Sequence, residues 1–209
     1  AVFYEPGRDG HGLARDPFKS LVVPRPIGWI STLSRDGVVN LAPYSFFNGV
    51  ATDPFVVMFA AGGVARPEPL KDSRRNAEET GEFVVNVVPE HLREQMNATS
   101  ADVAPGVDEF TFAGLDALPS RRVEPPRVAG CPAHLECVYL ETVVLPCNDP
   151  ASTNAIVLGE VVGIHIDDAI LTDGMIDMSK FRPVARLGYM DYTVVDNVFT
   201  MLRPGMSDS

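Results

Sequence analysis

The clearest group of residues able to bind a charged ligand lies at the start of one predicted helix. Lys71–Gly81 has the end signals of a helix, with a glycine where a left-handed C-cap is expected. A first helical turn offers unpaired N–H groups and the positive end of the helix dipole. Here it also carries Lys71, the Ser73 hydroxyl, Arg74 and Arg75. These groups predict an anion site that suits a phosphate.

The same residues also fit a purely structural role. Asp72 or Ser73 can act as the N-cap of the helix while the cations stay in solvent. The residues alone leave both interpretations open. Arg74 and Arg75 occupy successive helical positions, so they cannot both face one ligand. The phosphate interpretation favours Lys71 and Ser73, followed by Arg75.

A second group of residues could hold a flat aromatic ligand. Ala42–Asn48 combines aromatic side chains with a proline that leaves main-chain groups unpaired. Trp29–Thr32, on a neighbouring predicted strand, could form the other wall of a slot. Alternatives stay open here too. Phe46 and Phe47 are adjacent, so one of them must point into the core, and Trp29 also fits a core position.

A hairpin positions this second group. Ile27–Leu33 is rich in small, β-branched and aromatic residues, and Arg35–Gly37 contains an Asp-Gly pair suited to a tight turn. Val38–Leu41 is then the return strand. Pro43 cannot donate to a ladder, so it predicts an edge strand or a bulge.

The rest of the chain indicates more strands and few helices. Further strands are predicted at Phe55–Ala61, Phe83–Val88, Ala133–Pro146 and Ile156–Asp167. The pattern also predicts an irregular loop at Gly62–Pro69, a helix at Glu90–Asn97, a loop with a helical turn at 100–119, an extended segment at 121–130 and a loop at Phe181–Gly188. No βαβ alternation is present, which disfavours a parallel nucleotide-binding fold. The pattern predicts a mainly β protein with an antiparallel, closed or partly closed barrel.

Composition limits the possible partners. The 209 residues are 45% apolar and 22% charged, as in a soluble globular protein, and predict a single domain over 1–209 with an N-terminal arm at 1–20 and a tail at 197–209. The formal net charge of -11 disfavours nucleic acid and anionic membranes as partners. There is no apolar run long enough to span a bilayer and no signal-peptide pattern at the N-terminus, so we expect a cytoplasmic protein.

Metal and hydrolytic sites lack support in the sequence. The three cysteines are Cys131, Cys137 and Cys147, without CxxC spacing, which predicts reduced thiols and no metal site. Serine-hydrolase elbows, HExxH pairs and Walker loops are missing. His165 fits either a hydrogen-bonded structural role or a position facing the ligand slot. Arg182 and Arg186 could reach the ligand, reach a partner subunit or brace a C-terminal loop.

Several runs, taken together in this order, resemble the flavin reductase-like family of FMN-binding split barrels, which includes flavoredoxin-type proteins. The runs are RPIGWIST, NLAPYSFFNGVATDP, KDSRRNAEETGEFVVNVV and FRPVARLGYMDY, and the resemblance covers roughly residues 3 to 195. It implies an antiparallel Greek-key split barrel that forms a homodimer and holds FMN near the subunit interface. The resemblance also implies a set of FMN neighbours: Trp29, Ser31, Thr32, Asn40, Tyr44, Ser45, Phe46, Asn48, Lys71, Ser73 and Arg75.

The resemblance further implies a flavin-dependent oxidoreductase that takes hydride from NADH or NADPH and passes electrons to free flavin or a partner. The cofactor would carry the redox chemistry, which explains why no catalytic base stands out. One alternative is an FMN-binding electron-transfer module without nicotinamide activity. Another is a barrel that has lost flavin and serves as an interaction protein.

Overall fold

The computed structural model describes residues 1–64, 70–101, 103 and 106–205. Its helices are α1 (Phe18–Leu21), α2 (Asp72–Thr80), α3 (Arg93–Ala98), α4 (Glu109–Ala113) and α5 (Met178–Phe181). Its strands are β1 (Arg25–Pro26), β2 (Gly28–Leu33), β3 (Val39–Tyr44), β4 (Phe47–Thr52), β5 (Phe55–Ala60), β6 (Gly63–Val64), β7 (Glu82–Val87), β8 (Ala117–Leu118), β9 (Arg127–Val128), β10 (Ala133–Leu145), β11 (Ser152–Ile166), β12 (Leu171–Thr172), β13 (Met175–Ile176), β14 (Val184–Arg186) and β15 (Tyr192–Val194).

One antiparallel sheet dominates the fold. Its strand order is β3-β2-β7-β10-β11-β5-β4, with β6 paired to β11, and β1, β14 and β15 form a smaller sheet. The pairs are antiparallel, which confirms the predicted mainly β, antiparallel class. β3 lies at one end of this order, so Pro43 occupies the edge strand that its missing N–H predicts.

The core has two parts, and strand β2 separates them. Successive side chains of a strand point to opposite faces. Trp29 therefore packs in one cluster with Leu41 and Met96, whereas Ile30 packs in the other with Phe59 and its neighbours. Burial on both faces explains why the predicted strand shows little polar alternation.

Close packing in the second cluster depends on a glycine of β11. A Cβ placed on Gly159 would lie 2.4 Å from the ring of Phe83. Phe83 is fully buried and makes an edge contact with Phe59, with ring centroids 5.3 Å apart. The aromatic ring thus fills the space that a side chain at Gly159 would need.

The structure corrects several local predictions. α2 has Lys71 as its N-cap, without a side-chain cap bond, so neither Asp72 nor Ser73 caps it. Gly81 does supply the left-handed C-cap, with φ of 80°. The predicted loop Phe181–Gly188 contains strand β14, because this short segment pairs with β1, about 160 residues earlier in the chain. β11 begins at Ser152 rather than at residue 156.

Other predictions are confirmed with small changes. The helical turn expected within 100–119 is α4, and the extended segment 121–130 contains β9. The helix predicted at Glu90–Asn97 is a 3₁₀ turn followed by α3. Within the predicted irregular loop Gly62–Pro69, residues 63–64 form β6 instead, because they pair with β11, and residues 65–69 lie outside the described residues. Residues 197–205 of the predicted tail are exposed and have no regular secondary structure.

Candidate flavin-binding cleft

A cleft of about 810 Å³ lies between the turn that follows β3 and the start of α2. Pockets that bury a small molecule commonly measure about 300–1,000 Å³. Its lining includes Phe18, Lys19, Asn40, Ala42, Pro43, Tyr44, Ser45, Phe46, Gly62, Gly63, Lys71, Asp72, Ser73, Thr99, Glu109, Leu145, Asn154 and Ala155. The apolar rim and the helix start, which the sequence singles out separately, therefore belong to one concave surface.

Asn40 connects the helix start to the sheet. Its Nδ2 donates to Ser73 Oγ at 2.8 Å, and Asn40 and Ser73 are both buried. Asn76, one turn further along α2, donates from Nδ2 to Thr32 Oγ1 at 3.1 Å. These buried side-chain bonds tie the first turns of α2 to β2 and β3. The N-terminus of the helix is thereby fixed beside the cleft.

The aromatic rim is supported by a buried cation. The guanidinium carbon of Arg25 lies 5.6 Å from the centre of the Phe46 ring, within the range of a cation–π contact. Arg25 is 6% exposed and donates to the carbonyl oxygens of Lys19, Val22 and Leu187. It therefore joins the rim to α1 and to the segment that follows β14.

Two acidic hydrogen-bonding groups of the cleft wall are shifted towards their neutral forms. Burial raises the pKa of Tyr44 to about 12, with Asp72 and Glu109 adding to the rise and a hydrogen bond with Ser73 opposing it. Burial also raises the pKa of Glu109, even though its Oε2 accepts from Leu41 N at 3.0 Å. The Tyr44 hydroxyl is consequently a donor throughout the neutral pH range.

Six of the expected FMN neighbours line the cleft: Asn40, Tyr44, Ser45, Phe46, Lys71 and Ser73. Three others are fully buried and do not line it. Trp29 donates from Nε1 to Thr99 Oγ1, and Thr32 Oγ1 accepts from Asn40 Nδ2, so both contact lining residues from behind. Ser31 instead donates to the Pro126 carbonyl oxygen, away from the cleft.

The last two expected neighbours face other surroundings. Asn48 is exposed on β4, where its Oδ1 accepts from Gly49 N at 2.9 Å. Arg75 forms an ion pair with Asp72 and lines a smaller neighbouring pocket. Helical geometry explains this position, because Arg75 is rotated by about 200° from Ser73 around the helix axis.

His165, Arg182 and Arg186, whose roles the sequence left open, have structural partners. His165 Nε2 lies 2.5 Å from Glu136 Oε1, away from the cleft. Arg182 donates to Glu90 and Asp196, both at 2.9 Å, so it braces the C-terminal segment. Arg186 bonds the Tyr192 hydroxyl and stacks on that ring.

Sequence reasoning missed several residues of the lining. Glu109 enters because it bonds a main-chain amide 68 positions earlier, and Asn154 because β11 begins before the predicted strand. Phe18 and Lys19 enter on α1, which begins within the predicted arm. The carboxylate of Glu109 directly precedes Phe110 in a segment of low periodicity, and nothing in that pattern indicated a long-range contact.

Metal binding has no support in the described part of the chain, where no group of His, Cys, Asp and Glu is arranged to hold an ion. The three thiols are free, with Cys131 and Cys137 buried and Cys147 exposed. Burial raises the pKa of both buried thiols. They are therefore packed thiols rather than reactive ones.

The family model of the flavin reductase like domain matches residues 20–185. The chain belongs to this family. It is similar to nitrilotriacetate monooxygenase component B from Bacillus cereus, with 28% identity, a TM-score of 0.86 and coverage of 96% of this chain and 98% of that one. A Shewanella frigidimarina protein with a split barrel domain gives 25% identity, a TM-score of 0.78 and 89% coverage of both chains.

Flavoredoxin of Desulfovibrio vulgaris shares the fold, with 18% identity, a TM-score of 0.75 and coverage of 94% and 99%. The flavin reductase-like resemblance and the split-barrel fold inferred from the sequence are thus confirmed. A flavin-related oxidoreductase function is supported by the family. Among the residues that the structure describes, no helix is long and apolar enough to cross a membrane.

Proposed function

We propose that this protein is an FMN-binding oxidoreductase that NADH or NADPH reduces, and that it passes the electrons to free flavin or to a partner. One observation carries the proposal: a single cleft contains both an aromatic rim and the N-terminus of a helix. A flavin mononucleotide has a flat ring at one end and a phosphate at the other. The two ends of the cleft offer matching chemistry.

The residues of the cleft fit this cofactor. At the helix end, Lys71, the Ser73 hydroxyl and the first amides of α2 are suitable phosphate ligands. At the rim, Tyr44 and Phe46 supply aromatic surface, and main-chain groups around Pro43 remain available on the edge strand. A side chain at Gly62 would clash with Asn154 Oδ1, at 2.9 Å, so glycine keeps the backbone close to that amide.

Local positive charge offsets the acidity of the whole chain. The formal net charge is -11, and Asp72 and Glu109 also line the cleft. Lys19 and Lys71 lie in the same lining, and the dipole of α2 adds partial positive charge at its N-terminus. A phosphate would therefore bind at the helix end rather than at Glu109.

When bound, FMN would supply the redox chemistry, and the chain supplies binding and orientation. The Tyr44 hydroxyl keeps its proton because burial raises its pKa to about 12, so it donates a hydrogen bond without transferring the proton. Phe46, held by Arg25, presents apolar surface that excludes water from one side of the cleft. The buried Asn40–Ser73 bond fixes the hydroxyl before a ligand arrives.

Stopped-flow reduction tests the proposal. The purified protein, loaded with FMN and kept anaerobic, is mixed with NADH or NADPH while flavin absorbance is followed. Rapid bleaching by either nucleotide supports a reductase. Bleaching by dithionite alone would select an electron-transfer module, and failure to bind added FMN would contradict the cofactor assignment altogether.

A further inference from the structure

Arg25 is a buried cation beside the aromatic rim of the proposed flavin cleft. It is 6% exposed, and its guanidinium carbon lies 5.6 Å from the centre of the Phe46 ring. The same guanidinium donates to the carbonyl oxygen of Lys19. Phe46 and Lys19 both line the cleft, whereas Arg25 does not. The positive charge is therefore one side chain away from the space that a ligand would occupy.

No carboxylate within the described residues neutralises the charge of Arg25. Its Nη atoms donate to the carbonyl oxygens of Lys19, Val22 and Leu187, and its Nε is buried without a partner. Carbonyl dipoles hold a cation in place but carry no net charge. Arginine is seldom this buried unless an acid pairs with it, because an unpaired charge is costly away from water. The cost in stability suggests that the charge itself has a role.

A second arginine adds to the positive potential. Arg186 pairs directly with Arg25 across β1 and β14, so the two side chains leave the sheet on the same face. Within the described part of the chain, Arg186 bonds the Tyr192 hydroxyl and the Tyr189 carbonyl oxygen and no acid. Burial lowers the pKa of Arg25, and repulsion from Arg186 lowers it further. A guanidinium nevertheless stays charged at neutral pH, so this repulsion is permanent.

Flavin reduction creates a charge that such a cation favours. A hydride carries two electrons and one proton, so a neutral isoalloxazine ring that accepts it becomes an anion, while the donor is left oxidised. Charge near the ring nitrogens is one means by which a protein tunes the electronics of a flavin. A cation that is already buried and fixed acts on the developing charge without reorganisation of solvent.

We propose that Arg25 acts across Phe46 to favour the anionic, reduced form of bound flavin over the neutral, oxidised form, and thereby raises its midpoint potential. The inference rests on the proposed flavin site, although it holds for any electron donor. Arg25 lies outside the lining, so it is a positioning residue rather than a catalytic one. Two unit charges about 10 Å apart, at an effective dielectric constant of about 20, still change an equilibrium constant roughly tenfold.

Redox titration of FMN-loaded variants separates the charge of Arg25 from its bracing role. Arg25→Gln keeps N–H donors for the carbonyl oxygens and removes the charge, whereas Arg25→Lys keeps the charge and presents three donors instead of five. We expect Arg25→Gln to lower the preference for reduced over oxidised FMN about tenfold, which is about 30 mV in the midpoint potential of a two-electron couple. Arg25→Lys should keep most of the wild-type preference.

Arg127→Gln is the matched control. Arg127 also donates to a carbonyl oxygen, that of Pro119, but it lines a different cavity, together with His134. The same loss of charge there should leave the midpoint potential unchanged. An unchanged potential in Arg25→Gln, or equal falls in Arg25→Gln and Arg25→Lys, would overturn the inference.

Proton uptake by the wild-type protein provides a test that does not require a variant to fold. Reduced flavin in water loses a proton near neutral pH, so at lower pH its reduction by two electrons takes up two protons. We expect bound FMN to take up only one at about pH 6, because a nearby cation favours the anion. Uptake equal to that of free FMN would contradict the proposal.

The source of electrons keeps this inference distinct from the proposed function. Dithionite reduces the flavin in these titrations, so a protein that NADH and NADPH fail to reduce can still show the effect of Arg25. In that case the reductase proposal fails and the inference stands. Normal reduction by a nicotinamide nucleotide, with no effect of Arg25→Gln on the potential, would overturn the inference alone. Failure to bind FMN would overturn both.

Discussion

At the scale of single residues, the proposed flavin site depends on a few fixed polar side chains. Lys71 and Ser73 stand at the start of α2, and Asn40 holds the Ser73 hydroxyl at 2.8 Å. A hydroxyl that is oriented in advance loses little freedom when a ligand binds. The phosphate end is therefore the place where substitutions should affect flavin affinity most directly.

Removing both side chains should weaken FMN binding. We expect Lys71→Ala combined with Ser73→Ala to cost about 1.5–4 kcal/mol of binding free energy, the scale of lost charge-assisted hydrogen bonds. Titration of apoprotein with FMN, followed by flavin fluorescence, measures this change. Arg35→Ala removes an exposed cation near the other end of α2 and serves as the control. An unchanged dissociation constant in the double variant would remove the phosphate assignment.

His134 should make stability depend on pH. Burial lowers its pKa from 6.5 to about 4. Between these values the unfolded chain binds a proton that the folded chain does not, so the free energy of unfolding falls as pH drops from 6.5 to 4. The loss approaches about 3 kcal/mol across that window. Urea unfolding at several pH values measures the slope.

The variant His134→Gln keeps an N–H donor for the Val128 carbonyl oxygen and removes the titrating ring. We expect a flatter stability profile between pH 6.5 and 4 for this variant. His91→Gln, at an exposed position, should leave the wild-type slope intact. A wild-type slope in His134→Gln would show that other groups cause the acid sensitivity.

At the scale of elements, sequence patterns identified what is locally encoded. Strands β5 and β7 carry long apolar runs, and α2 has a glycine C-cap, so these elements were predictable. β14 was not, because three residues pair with a strand far away in the chain. Lys71 and Ser73 could likewise be predicted as cleft residues, because the start of α2 is recognisable from the local sequence. Glu109 was missed, since its role comes from a tertiary contact with Leu41.

A side chain at position 159 should disturb the packing between β7 and β11 and lower stability. We expect Gly159→Ala to lower the free energy of unfolding by about 1–3 kcal/mol, because the buried Phe83 ring lies where the methyl group would go. Chemical denaturation measures the change. Gly49→Ala on β4 is the matched control, since no atom lies within 4 Å of its added Cβ, and should change stability by less than about 0.5 kcal/mol. Equal effects would contradict this packing argument.

At the scale of the whole molecule, apolar side chains remain exposed on several strands of one half of the main sheet, where the order is β10-β11-β5-β4. Examples are Leu140 and Val144 on β10, Phe55 on β5 and Val50 on β4, which are 48, 71, 55 and 53% exposed. Large exposed apolar surfaces commonly mark contacts between protein chains. We therefore propose the homodimer that the family resemblance implies.

Light scattering at micromolar concentration tests this assembly. We expect twice the chain mass of 22.6 kDa. Val144→Asp should shift the protein towards monomer while leaving its circular dichroism unchanged, because a carboxylate is costly in an apolar contact. Val198→Asp lies in the exposed segment after β15 and should leave the measured mass unchanged. A wild-type monomer would argue against a site shared between subunits.

The hydrogen bond from Leu41 N to Glu109 also protects the edge of the sheet from pairing with strands of other molecules. Strand β3 lies at the margin of the main sheet, and its Leu41 amide points outward to the Glu109 carboxylate. An amide that is already satisfied cannot serve as a template for a strand from another molecule. Loss of this carboxylate would therefore expose a site for intermolecular strand pairing, and the first symptom would be turbidity on concentration.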